Sequence, residues 1–571
     1  MALPKIGEPS AVFPVGAAEL AGPRPGELNI THACVDRHIA AGQGGSVALR
    51  WLGRGTRRRD FSYDELGEMA DRMAAVLSRL GVAPGETVAV LLGRGPELYA
   101  GALGIWKVGA VFCPLFALLG PGPMKLRLEL AKASVLIAGD GLYARTVADQ
   151  RATLSGLRHV LLVGEDGKAA RLSEGCTDLR ALLAAADPVG VDTYPTRAGD
   201  AAILHFTSGT TGTPKPTVHA HGAVVAQLDT ARQVFGITPD DVFWCTADPG
   251  WVTCTAYGMV APLAAGCTVV VEDGEVEPRR WYSILRDEKV TAWYTTPTAI
   301  RTLMRSGAAL ARTFCRNTLR VVASVGEPLN PEAVLWGEKA LGVPVRDTWW
   351  QTETGAITIA NIPDAGRVRN PGSMGRPLPG VEAAVVRREG GGVVAVAVGV
   401  GELAIREGGP AMFIGYGDDE ARRQACFADG WYLTGDLVRR DADGFYWFLG
   451  RADDMLNSGG HQIGPFEVEC LLMDHPAVAE AGVVGRPDPL MLEVPVAFVT
   501  LNPGFEVGEA LMAELLAFAR HELGAAMAPC DVHFVAALPK TASGKILRRV
   551  LKTYAAGKCK DGQVVELRPG R

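Results

Sequence analysis

A chain of 571 residues exceeds what one hydrophobic core usually holds, so two or more domains are expected. With 48% hydrophobic and 21% charged residues the composition is that of a soluble globular protein, and a net charge of -6 argues against a general affinity for nucleic acid or anionic membranes. Eleven dispersed cysteines with no C-x-x-C pair read as reduced, mostly buried thiols of a cytoplasmic protein.

The N-terminal MALPKIGEPSAVFPVG has no basic start followed by an apolar run, so no secretory signal is expected. Ser62 and Glu65 have capping-box spacing, and Leu66, Met69, Met73, Val76 and Leu80 recur at helical intervals until Gly81. After Pro84-Gly85, residues Thr87 to Leu92 read as a buried strand, Glu97 to Ala110 as a helix, and Val111 to Leu115 as another strand. This alternation predicts an α/β fold with parallel sheets covered by helices. Trp251 to Val271 carries no charge and is long enough to cross a bilayer, but Gly258, Pro262, Gly266 and its threonines favour buried strand and loop. After about residue 376 the composition shifts. Val381 to Ile405 is rich in valine and glycine around Gly390-Gly391-Gly392, which predicts a β-rich module over about 377–450. A boundary near Arg451-Ala452-Asp453-Asp454 divides a large N-terminal domain, 1–452, from a small α/β domain, 453–571.

The strongest local signal is Thr207-Ser208-Gly209-Thr210-Thr211-Gly212-Thr213-Pro214-Lys215, which follows the apolar run Ala201 to Leu204. Small hydroxyl residues and glycines let backbone N–H groups and hydroxyls converge on phosphate oxygens. No G-K-[ST] closes the loop, so it is not a P-loop. Further segments follow in order: Trp244 to Thr253 (WCTADPGWVT), Thr295 to Arg301 (TTPTAIR), Ser324 to Pro328 (SVGEP), Asp347 to Gly355 (DTWWQTETG), Gly430 to Asp436 (GWYLTGD), Gly450 to Asp454 (GRADD) and Leu538 to Lys545 (LPKTASGK). With these segments the chain resembles the adenylate-forming enzymes and, within them, the acetyl-CoA synthetases.

The resemblance implies that a carboxylate attacks the α-phosphorus of ATP, giving an acyl-adenylate whose acyl group then passes to coenzyme A. Two anions must meet, so cations and preorganised donors are needed. By resemblance Lys545 is the catalytic lysine, a mobile point charge set beside the basic surface residues Arg548, Arg549 and Lys552. The nucleotide is expected at Thr207, Ser208, Gly209, Thr210, Thr211, Gly212 and Lys215. The other nucleotide positions are Gly326, Glu327, Pro328, Asp347, Thr348, Trp349, Trp350, Gln351 and Thr352, with Asp436, Arg451 and Gln462. Glu353 matches a magnesium ligand, and His475 and Val478 match a second cation position. Trp350 is expected to close an acyl pocket walled by Val252, Thr253 and Val325, which suits acetate, then propionate. Coenzyme A is expected at Arg127, Thr253, Gly459, Gly460 and Arg520, after the small, mobile domain turns about Asp453. Acetylation of Lys545, by an acetyltransferase opposed by a deacetylase, would remove its charge.

Two positions depart from the pattern. Gln462 stands where relatives carry an arginine, and Pro216 replaces a glycine after Lys215. Among other readings, a ligase for propionate or 4-hydroxybutyrate keeps all the motifs, and a non-catalytic sensor of nucleotide or acyl-CoA would not need Lys545, Asp436 and Glu353 together. A serine hydrolase is disfavoured by the absence of G-x-S-x-G, and zinc chemistry by the lack of partners for His219 and His221 at metal spacing.

Overall fold

The computed structural model describes residues 17–207, 213–274, 277–314, 318–364, 368–452, 454–458, 461–489, 491–524, 527–540 and 546–557. They fall into two compact units. The large one comprises Met1–Pro371, Gly375–Glu382 and Arg406–Gly430, and the small one Gly372–Met374, Ala383–Ile405 and Trp431 onward.

The local signals near the start form as read. Ser62 Oγ accepts from the Glu65 N–H at 3.1 Å, and the Glu65 carboxylate accepts from the Ser62 N–H at 2.9 Å, which starts the helix Tyr63–Arg79. The helix buries Leu66, Ala70, Met73 and Leu77 along one face. Strands Thr87–Leu91 and Val111–Pro114 follow, parallel to each other and joined through the helix Pro96–Lys107.

Among the described residues the large unit builds a nine-stranded and an eight-stranded sheet. In the first, Val345–Trp349, Val321–Ser324, Ala292–Thr295, Val242–Cys245, Thr268–Glu272 and Val47–Leu52 lie side by side and parallel. In the second, Ala201–Thr207, Val111–Pro114, Thr87–Leu91, Val135–Gly139, His159–Val163 and Cys176–Asp178 are parallel, and Lys215–Ala220 returns antiparallel to Ala201–Thr207. Side chains alternate along each strand, so each sheet feeds two cores. Val88, Val90, Val321 and Ala323 enter a central core shared by both sheets. Ala89 and Leu91 join an outer core on one side, and Val322 joins another with Trp244 and Trp293.

The uncharged run Trp251 to Val271 differs from its expectation in its first half. Val252–Thr255, Ala256–Val260 and Ala261–Ala264 are successive helical segments, the middle one π-wound, before the strand Thr268–Glu272. Pro262 is compatible with helix because it falls in the first turn of its segment. No described helix is long and apolar enough to cross a membrane.

In the small unit, Ala383–Glu389 and Gly392–Val396 form a hairpin over Gly390 and Gly391, whose φ of 58° and 90° is what a tight two-residue turn demands. Gly399–Arg406, Trp431–Arg440 and Tyr446–Arg451 extend this antiparallel sheet. Beyond it, Val478–Asp488 and Leu492–Leu501 pair antiparallel and bury Val483, Ala497 and Val499 under the helices Pro465–Asp474 and Glu509–Leu523.

Candidate active site

The site in the large unit gathers where parallel strands end, the edge at which open α/β sheets bind ligands. Strands Val242–Cys245, Ala292–Thr295, Val321–Ser324 and Val345–Trp349 all release their chains there into the segments singled out in the sequence. Thr246 Oγ1 donates to Thr295 Oγ1 at 2.7 Å, and the Val325 N–H donates to the Thr295 carbonyl at 3.1 Å, tying adjacent exits together. Arg94 anchors the first exit through the Thr246 carbonyl, 3.0 Å away.

Trp350 is 7% exposed and joins the same core as Val325, against which Val252 packs; Thr253 is buried nearby in the chain. The structure thus brings Trp350, Val325 and Val252 into one apolar cluster. The Trp350 ring meets Tyr257 edge to face, centroids 5.3 Å apart, and its Nε1–H donates to the Tyr294 hydroxyl at 3.0 Å. Tyr257 belongs to the π-wound segment, and its hydroxyl accepts from the Ile357 N–H at 2.7 Å.

Of the expected nucleotide positions, Gly326, Glu327 and Pro328 lie partly exposed at the exit after Ser324, while Asp347, Thr348 and Trp349 are buried on the neighbouring strand. Burial pushes the Asp347 carboxyl well above the usual carboxylate range. Glu327 Oε2 accepts from Thr298 Oγ1 at 2.8 Å and from the Arg301 guanidinium, whereas its Oε1 is buried without a partner. Gln351 and Thr352 belong to a tight turn in which Thr354 Oγ1 accepts from the Gln351 N–H and Gly355 N–H donates to the Thr352 carbonyl at 3.1 Å. Gly355 closes it with φ +67°, and a Cβ there would lie 2.0 Å from the Ala411 carbonyl oxygen, so only glycine fits.

Thr207 and Lys215 pair across the two strands that bracket the phosphate loop, and Ser208 to Gly212 lie outside the described residues. Thr207 Oγ1 is buried and has no partner among the described residues. Tyr416, on a short strand beside Thr217, donates to Glu353 Oε1 at 2.8 Å, and the Lys215 ammonium lies 5.1 Å from the Tyr416 ring centre. Burial, with the Glu353 charge behind it, raises the Tyr416 phenol, so its proton stays and orients the carboxylate. The Arg127 guanidinium lies over the Phe206 ring at 5.6 Å and donates to the Pro123 carbonyl at 3.0 Å. His205, His219 and His221 are fully buried neutral imidazoles, pushed down by burial to about 3, about 4 and about 3.

In the small unit, Asp436 and Arg451 face each other across paired strands, with Arg451 Nη1 2.7 Å from Asp436 Oδ1. Lys545, Asp453, Gly459 and Gly460 lie outside the described residues, as does the side chain of Gln462, whose backbone pairs with Asn457. Around Lys545, Lys540 and Ile546 form an antiparallel bridge, and Lys540 Nζ is 2.7 Å from Glu480 Oε1. Arg520 is exposed near the end of the helix Glu509–Leu523. The His475 carbonyl accepts from the Val478 N–H at 2.9 Å, and the Val478 carbonyl accepts from Asn502 at 3.1 Å. Among the described residues no three His, Cys, Asp or Glu side chains cluster as a metal site.

Several residues went unnoticed in the sequence. Tyr294 directly precedes the TTPTAIR segment, and Tyr257 and Tyr416 have no local signal. Arg548 corrects its reading as a surface residue: it is largely buried, binds both Glu469 oxygens, donates to the Val483 carbonyl at 2.8 Å and reaches Asp454 at 3.4 Å. Burial opposes its charge, but the Glu469 carboxylate outweighs burial and leaves the guanidinium raised.

A family model described as AMP-binding enzyme matches residues 36–417, and one described as AMP-binding enzyme C-terminal domain matches residues 467–545. The chain belongs to the AMP-binding enzyme family. It is 40% identical to the acetyl-coenzyme A synthetase of Bacillus subtilis (strain 168), over 93% of this chain and 91% of that protein. It is 37% identical to the acetyl-coenzyme A synthetase of Pyrobaculum aerophilum, over 93% and 84%. Solved structures similar to it include a Brucella canis acyl-CoA synthetase, with TM-score 0.73, 34% identity and coverage of 95% and 98%. Another is the anthranilate CoA ligase AuaEII in complex with anthranoyl-AMP, with TM-score 0.84, 28% identity and coverage of 95% and 99%.

Proposed function

We propose that the protein is an AMP-forming acyl-CoA synthetase acting on a short carboxylic acid, acetate by preference. A carboxylate oxygen attacks the α-phosphorus of ATP and pyrophosphate leaves. The thiol of coenzyme A then attacks the acyl carbon, losing its proton as the thioester bond forms, and AMP departs with the electron pair of the broken C–O bond. The observation that carries the reading is the buried Trp350 ring among Val252 and Val325, at the strand edge that also carries Glu327 and the 351–355 turn. An indole there leaves room for few carbons, and one methylene in such a pocket is worth about 1–3 kcal/mol.

Glu353 fits a magnesium ligand, because it is a buried hard carboxylate oriented by Tyr416, whose ring also faces Lys215. A bound magnesium ion would neutralise phosphate charge. Lys215 adds positive charge beside the phosphate loop, Asp436 accepts from ribose hydroxyls with Arg451 holding it, and Lys545 supplies the cation for the adenylation step. For thioester formation we propose that the domain from residue 453 turns about Asp453 and exchanges Lys545 for Gly459 and Gly460. Acetylation of Lys545 would stop adenylation and spare thioester formation.

The test is pyrophosphate release with ATP and magnesium over acetate, propionate, butyrate and 4-hydroxybutyrate, with and without coenzyme A. Acetate turnover that needs coenzyme A to pass beyond a single cycle supports the reading. Release with a longer acid alone moves the substrate, and no release with any of them leaves a nucleotide or acyl-CoA sensor.

A further inference from the structure

The Trp350 indole is held by packing and by one hydrogen bond, and the bond belongs to a chain. Trp350 Nε1–H donates to the Tyr294 hydroxyl at 3.0 Å, that hydroxyl donates to Thr348 Oγ1 at 2.7 Å, and Thr348 Oγ1 donates to the Ser324 carbonyl at 2.7 Å. The direction is forced, because an indole N–H can only donate and a carbonyl can only accept. Each hydroxyl therefore accepts one proton and gives one, and neither can turn away without leaving a buried group unpaired. Tyr294 and Thr348 are both buried, and burial raises the Tyr294 phenol far enough to keep its proton. The Tyr294 ring is itself fixed edge-on between Phe235 at 5.0 Å and Tyr257 at 5.5 Å, and Tyr257 in turn touches Trp350.

We infer that Tyr294 is a specificity-determining positioning residue: its hydroxyl holds the Trp350 indole at one depth and so sets the length of acid accepted. The inference rests on the short-acid reading of Trp350 and adds the device that makes that wall rigid. Tyr294 positions the wall of the pocket and touches no reacting atom. Its effect is on which acid fits, not on the chemistry of adenylation. Packing alone would let the indole rock about its contact with Tyr257, and a pocket wall that rocks admits the next homologue.

The experiment compares Tyr294→Phe with the unaltered full-length protein by pyrophosphate release over acetate, propionate and butyrate. Phenylalanine keeps the ring contacts and deletes the hydroxyl. The acetate-to-propionate ratio of kcat/KM should fall about tenfold, mainly through a lower KM for propionate. Thr348→Val, which leaves Tyr294 and Trp350 whole but removes the acceptor that orients the hydroxyl, should move the ratio the same way by less. Tyr63→Phe removes a hydroxyl bonded to the Leu263 and Cys267 carbonyls at 3.1 and 3.0 Å; it should lower Tm and leave the ratio alone. If Trp350→Ala admits longer acids while Tyr294→Phe and Thr348→Val lower only Tm, the positioning role is overturned and the pocket stands. If Trp350→Ala leaves the chain-length profile unchanged, the pocket reading falls and this inference with it.

Discussion

In the large unit, Trp350 is held by a phenol, a hydroxyl and a carbonyl, none of them charged. In the small unit, Arg451, Lys540 and Arg548 are each held by carboxylates: Asp436, Glu480, and Glu469 with Asp454. Neutral chains of hydrogen bonds are directional, short in range and indifferent to salt, which suits a wall that must not move. An ion pair is costly to break from one side when it is buried and worth little when it is wet. The small unit uses both kinds: a buried pair fastens its frame, and a wetter one lies beside the bridge that flanks Lys545.

The comparison is broken most severely by removing one partner of the buried pair. Arg548→Met leaves the Glu469 carboxylate, 5% exposed, without its guanidinium, and should cost about 3–5 kcal/mol in urea unfolding. Arg548→Met with Glu469→Gln should recover most of that loss, since the Glu469 charge is then no longer stranded and an amide oxygen still accepts from the Val483 N–H, which Glu469 Oε1 holds at 2.7 Å. A single variant within about 1 kcal/mol of the parent would show that packing, not this pair, fastens the unit.

Next comes Lys545→Ala, which removes the cation proposed for the adenylation step. Pyrophosphate release should fall by about 10²–10³, the cost of losing one electrostatic stabiliser of a transition state, with Tm unchanged. Thioester formation from supplied acyl-adenylate should fall far less. Equal losses in both half-reactions would remove Lys545 from its proposed role.

Acid should strike the large unit. His205, His219 and His221 all belong to it and stay neutral in the fold down to about 3, about 4 and about 3, against 6.5 for an ordinary imidazole. An unfolded chain therefore binds protons at these positions as pH falls below 6.5, while the folded chain does not. Their contribution is fully present above about pH 6.5 and is lost as pH falls toward the folded values, at up to about 1.4 kcal/mol per pH unit for each imidazole. His221→Asn keeps an acceptor for the Ile30 N–H and deletes one titrating ring, so it should flatten the fall of stability between pH 6.5 and 5. An unchanged slope would mean that His221 does not contribute to acid unfolding.

Legibility followed the range of the interactions. The capping box at Ser62 and Glu65 and the turn at Gly390-Gly391 are made by neighbours, so spacing alone revealed them. The strand-end segments were readable because they carry the family's motifs. The role of Tyr294 was not, since its partner Thr348 lies 54 residues on and arrives only when parallel strands align. Arg548 looked like surface charge because Glu469, 79 residues earlier, is what lets it be buried. The run Trp251 to Val271 misled because an uncharged stretch reads alike as helix or strand.

The smallest effect is the sharpest test of the contrast between wet and dry fastening. Lys540 and Glu480 keep 25% and 17% of their side chains exposed, so water and salt reach the pair. Glu480→Gln should cost only about 0.2–1 kcal/mol in unfolding. Its effect on pyrophosphate release should be within about twofold at low salt and vanish near 0.5 M, where screening acts within a few ångströms. The acid-selectivity ratio of the parent should not move over the same salt range, because no ion pair takes part in holding Trp350. A selectivity ratio that drifts with salt would mean that charge reaches the acyl wall, and the division between the two modes of fastening would fail at the pocket itself.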